Sequence, residues 1–203
     1  MAVADLLVAA NAGVPGNSLK PHNCHEAVLG WVLIANFAPL RSVDPLSQGE
    51  PRAWLALRSL AERYGQARPK QLTGAWMGQH VYARGFSRVQ PLPGRDGTTS
   101  SLFTNSTFSV GDVLFMGSPQ APHHSMVVVQ KNGAQALARG FNNAGAFGGP
   151  LFDWDSTLRD VTDSARWDKQ GQFMANNGPS DLYVIPYDTL CKNIPENLEF
   201  NVS

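Results

Sequence analysis

The rhythm of apolar positions changes about halfway along the chain. In the first part they fall in long blocks at helical spacing; after Gly111 they fall in short runs bounded by Gly, Pro and Asn. Ala2–Ala12 reads as a short helix and Cys24–Ala38 as a second, roughly 22 Å long. The second is apolar almost all round (Ala27, Val28, Leu29, Trp31, Val32, Leu33, Ile34), which predicts a central helix rather than a peripheral one. Pro51 can open a third helix through Trp54, Leu55, Leu57, Leu60 and Ala61, with arginines outward, and Thr73–Arg84 reads as a fourth. Residues 91–109, rich in Pro, Gly, Ser and Thr, read as a surface loop. Strands are expected at Val113–Met116, Ser125–Gln130, Ala134–Phe141 and Leu182–Tyr187, with Asn132-Gly133 as a hairpin signal and a helix over Asp160–Met174. Helices first and an antiparallel sheet afterwards predict an α+β class, with the N-terminal central helix packed on the sheet.

Composition narrows this picture. The 203 residues fit one domain spanning 1–203, and 43% hydrophobic against 16% charged residues belongs to a packed globule. Sixteen basic residues balance sixteen acidic ones without a strong cluster of either sign, so nucleic-acid binding has no electrostatic support. Two cysteines, Cys24 and Cys191, are too few for a disulfide framework. Val3–Ala10 lacks a basic leader and contains Asp5, which makes a poor signal peptide; Pro39 cuts the longest apolar run short of a membrane span. The expectation is a soluble protein whose export, if any, leaves no cleavable signal.

Chemistry concentrates at two places. In Pro21-His22-Asn23-Cys24-His25-Glu26, Asn23 is a favoured N-cap type and Glu26 suits the positive end of the helix dipole. A cysteine in that first turn feels the same field, which favours the nucleophilic thiolate. Its own backbone N–H is one oxyanion donor; a second is expected from upstream, at Asn17 or Ser18. About a hundred residues on, Gly111-Asp112-Val113-Leu114-Phe115 precedes His123-His124-Ser125-Met126-Val127-Val128-Val129, a strand followed by histidines opening another. Cysteine on a buried helix facing histidine on a sheet is the arrangement of cysteine-nucleophile hydrolysis.

These segments resemble the papain-like superfamily, particularly its compact NlpC-like branch of peptidoglycan amidases and endopeptidases, and small secreted bacterial toxins with papain-like cores. That branch usually follows its cysteine with Ser-Gly, where this chain has His25-Glu26. The resemblance implies a papain-like core with Cys24 as nucleophile, and places the base at the strand's first position, His124, rather than at His123. Papain-like enzymes often orient the imidazole with asparagine. If Lys131-Asn132-Gly133 forms a three-residue loop, His124 faces Gly140 and its diagonal neighbour is Asn142; if Asn132-Gly133 alone turns the chain, the neighbour is Asn143. The implied activity is amide hydrolysis by a peptidase, amidase or glutamine deamidase without cofactor, with a transglutaminase as the outcome if an amine resolves the thioester. The implied setting is a bacterial effector made in the cytoplasm and exported by a specialised secretion system, with a protein or peptide substrate and a cognate inhibitor or immunity protein as partners.

Each residue also has a plainer role. Cys24 can be a core cysteine, Cys191 is read as structural, the five tryptophans default to core packing, and Asn142-Asn143 can be an ordinary loop. His22, Cys24, His25, His123 and His124 meet a zinc inventory but no familiar zinc spacing, so no metal is expected. The competing class is a binding module, zinc-stabilised or metal-free, in which Cys24 is structural.

Overall fold

A computed structural model describes residues 3–12, 23–36, 73–91, 107–133, 135–143, 154–155, 158–175 and 178–194. They form a mixed α+β structure. Its helices are α1 (Val3–Ala12), α2 (Cys24–Asn36), α3 (Gly74–His80) and α4 (Tyr187–Asn193). The strands are β1 (Ser87–Arg88), β2 (Val113–Ser118), β3 (Ala121–Asn132), β4 (Gln135–Gly140), β5 (Asn142–Asn143), β6 (Trp154–Asp155), β7 (Leu158–Asp160), β8 (Phe173–Ala175), β9 (Gly178–Ser180) and β10 (Leu182–Ile185). The main sheet has six antiparallel strands in the order β1-β10-β2-β3-β4-β7, while β5-β6 and β8-β9 form separate two-stranded pairs.

Both faces of the sheet are covered, which explains the unbroken apolar run Val127-Val128-Val129. Val113, Phe115, Val127 and Val129 pack with α1 and α2 around Trp31, Leu29 and Tyr82. Leu114, Met116, Met126 and Val128 face the other way, onto Phe108, Val161, Trp167 and Phe173. The all-round apolar α2 is central as expected: Ala27, Val28, Leu29, Trp31 and Val32 are buried. Asn23 caps it, its Oδ1 accepting from the Glu26 N–H at 2.9 Å. Thr73 does the same for α3 through the Trp76 N–H at 3.1 Å.

Three expectations are corrected. The Asp160–Met174 segment is not a helix but β7, a single 3-10 turn at Ser164–Arg166, and β8. Its aspartates hold tight turns instead: Asp160 accepts from Thr162, Asp163 from Ala165, and Asp168 from both Gln170 and Gln172. Such local side-chain bonds compete with the helix. The β3–β4 hairpin pairs Asn132 with Gln135, and a shift between Val128 and Gln130 then pairs Met126 with Gly140. Neither expected register holds: the pairing of Asn132 with Gln135 is two positions from the nearer expectation, and the Val129 bulge takes back only one of them. The last strand stops at Ile185, and Pro186 opens α4. The expected third helix from Pro51, and most of the 91–109 loop, lie outside the described residues.

Candidate active site

The start of α2 and the start of β3 meet. The Cys24 thiol, 7% exposed, points at the carbonyl oxygen of His123 at 3.9 Å. Burial pushes this thiol up to about 11, the reverse of what a helix start by itself implies. The main-chain N–H groups of Ser125, His25 and Cys24 and the Ser125 hydroxyl pull the other way, and desolvation outweighs them. At neutral pH the group is therefore a thiol, and attack requires a base to take its proton in the same event.

The two candidate bases stand differently. A β-bulge pairs Met116 with His124 and Gly117 with Pro122, leaving His123 as the extra residue of β3. The His123 ring is exposed and its Nε2 lies 2.8 Å from the Ser180 hydroxyl. Gly117 makes room for it: its φ is 98°, and a Cβ there would fall 2.6 Å from His123 Cδ2. The His124 ring sits beside Met126 over Gly140, where a Cβ would be 3.1 Å from His124 Nε2 and 3.0 Å from Met126 Cγ. Met126 belongs to the core on the face away from α2. Burial first, then Arg159 and the charge His25 and His123 carry once protonated, push His124 down to about 3. Among the described residues, no histidine ring is hydrogen-bonded to the Cys24 sulfur in this arrangement.

The backbone of Asn142 and Asn143 forms β5 and pairs with Asp155 and Trp154, outside the main sheet. Their side chains, with Asn17 and Ser18, lie outside what is described. Cys191 is half-buried on α4 against the helix-side core, and neither cysteine forms a disulfide. Among the described residues, no group of three or more His, Cys, Asp or Glu side chains is placed to hold a metal ion, and no helix is long and apolar enough to cross a membrane.

Sequence reasoning passed over three residues behind Cys24. His25 is buried, with Nδ1 3.0 Å from the Ser125 hydroxyl and Nε2 3.0 Å from the Pro122 carbonyl. Ser125, fully buried, also lies 3.3 Å from the Cys24 carbonyl. The Tyr82 hydroxyl is buried without a hydrogen-bond partner among the described residues, its ring stacked on Phe115 and its centroid 6.4 Å from that of His25. The available signal was alternation: on a strand where Val127 and Val129 face α2, Ser125 does too, whereas His124 does not.

Fold and site together define an α+β protein with a buried cysteine at a helix start, lodged against a histidine-bearing strand. No family model, no curated protein and no solved structure matches the chain.

Proposed function

We propose that this protein is a cysteine hydrolase acting on an amide C–N bond. The observation that carries the reading is the meeting of the two chemical segments: a sulfur at the start of α2 within 3.9 Å of the backbone of the His123-His124 pair. In the proposed reaction the Cys24 sulfur bonds to the amide carbon while its proton passes to the imidazole of His124. The C–N bond then breaks, the imidazolium returns the proton to the leaving amine, and water cleaves the thioester to regenerate the thiol. Asn142 or Asn143 would orient the ring. For His124 to act, its ring must leave Gly140 and Met126; the ladder is already interrupted next to it, at the His123 bulge. His123, whose ring is exposed at the bulge, is the alternative base. The substrate class is a peptide bond or a side-chain carboxamide in a protein, and the setting is that of an exported bacterial effector held in check by a cognate inhibitor.

A second reading has an observation of its own. A thiol that is 7% exposed and pushed up to about 11 also suits a non-catalytic binding module whose Cys24 merely fills the core. One experiment separates the two. Casein and a panel of glutamine-containing peptides are incubated with wild-type protein and with Cys24→Ala, and peptide products and released ammonia are measured. Activity in the wild type that is lost in a folded Cys24→Ala supports the hydrolase. Activity unchanged in Cys24→Ala refutes it, and inertness of both proteins across the panel favours the binding module.

A further inference from the structure

We infer that His25 and Ser125 form a positioning clamp that fixes the His123-His124 pair relative to Cys24. The inference rests on the hydrolase reading for its purpose, but its geometry stands apart from it. His25 is the residue after Cys24. Its two ring nitrogens contact Pro122 and Ser125, the residues immediately before and after His123-His124. One imidazole thus bridges both flanks of the dipeptide. It does so at the place where the β2–β3 register shifts and His123 has no ladder partner. Backbone pairing does not set the position of His123 there, and the side-chain bridge does.

The protons can be assigned from the acceptors. A carbonyl oxygen only accepts, so Nε2 of His25 carries the proton donated to Pro122. Burial pushes His25 down to about 4, so at neutral pH Nδ1 has no proton and accepts from the Ser125 hydroxyl. Ser125 has a single hydroxyl proton. The 3.0 Å contact to His25 Nδ1 and the 3.3 Å bond to the Cys24 carbonyl share it, and with Nε2 carrying the His25 proton the shorter contact takes the larger part. Such a clamp specifies one tautomer and one ring orientation. It also seals the sulfur: with Pro122 and Ser125 held, the His123 carbonyl stays over Cys24 Sγ. Ser125 also reaches the Cys24 sulfur through its main-chain N–H and its hydroxyl, whereas the His25 ring acts through the residues it holds.

The test uses the full chain in a Cys191→Ser background and needs no substrate. Long-range ¹⁵N correlation spectra at pH 7 report the tautomer of His25, expected as Nε2–H. Iodoacetamide alkylation of Cys24 at pH 8 reports how well the sulfur is sealed. Ser125→Ala is expected to raise the alkylation rate at least tenfold and to shift the ring resonances of His123, while Ser125→Thr, which restores a hydroxyl, returns both toward wild type. A merely structural role would not make the effect follow the hydroxyl. An Nδ1–H tautomer for His25 would overturn the clamp. So would Ser125→Ala with alkylation within twofold of wild type, or Ser125→Thr behaving like Ser125→Ala. If Ser125→Ala does not fold, the tautomer measured in the parent protein decides. Because these readouts do not depend on hydrolysis, an inert Cys24 and an absent clamp give different results.

Discussion

Acid should destabilise this protein over a defined window set mainly by buried His25 and half-buried His124, with His123, also lowered by burial, adding in the same sense. His25 and His124 ordinarily bind a proton near pH 6.5, but burial holds them to about 4 and about 3 in the folded protein. The unfolded chain therefore takes up protons on both from pH 6.5 downwards, while the folded chain stays neutral there. Stability attached to this difference is complete above about pH 6.5 and is lost as the pH falls towards 4. At pH 5.5 the unfolded state carries nearly two more protons, a slope of roughly 2.5 kcal/mol per pH unit. Between pH 7 and pH 4.5 each histidine contributes about 2 kcal/mol of lost stability, a sum comparable to the whole of a marginal domain's roughly 5–15 kcal/mol. Asp112 works with the opposite sign, since burial raises its carboxyl. The assay is urea unfolding followed by tryptophan fluorescence at half-unit steps from pH 7.5 to 5. His124→Asn, which removes one group, should lower the slope by about one proton. A wild-type slope below half a proton in this window, or an unchanged slope in His124→Asn, refutes the argument that these rings are held neutral by burial.

Other outcomes follow from single contacts. Asn23→Ala removes the cap of α2 and should cost about 1 kcal/mol in urea unfolding, with Asn23→Asp retaining most of it. Gly74→Ala sets a Cβ 1.8 Å from the Pro122 carbonyl oxygen, backbone against backbone, so α3 and β3 must part. A loss of about 3 kcal/mol is expected, together with a shift of the His25 ring resonances because Pro122 is its acceptor. Cys24→Ala should abolish hydrolysis while leaving the circular dichroism spectrum unchanged. Of the two neighbouring bases, His124→Ala is expected to cost at least a hundredfold in kcat, and a larger loss in His123→Ala moves the base to His123.

Much of the core was legible from pattern. An all-round apolar α2 and a Val-rich β3 have few ways to satisfy themselves except against each other, and Asn23 marks the helix start by its own chemistry. The segment after β7 was misread as a helix because three aspartates spend their oxygens on turns, a local competition that composition does not reveal. The hairpin register was misread because the pairing next to the turn, Asn132 with Gln135, differs from both expected turns, and the Val129 bulge shifts the ladder once more.

The sequence by itself determined that Cys24 begins a buried helix, that histidines begin a buried strand, and that helices and antiparallel strands share one α+β structure. These depend on local propensity, capping and periodicity, all written within a few residues of each other. Only the tertiary structure decided that His25 turns inward to Pro122 and Ser125, that His123 bulges out of the ladder, and that the thiol is raised rather than lowered. A bulge sets which side chain reaches which face, and burial sets the charge a group can carry. Both arise from contacts between segments a hundred residues apart, where no local pattern reaches.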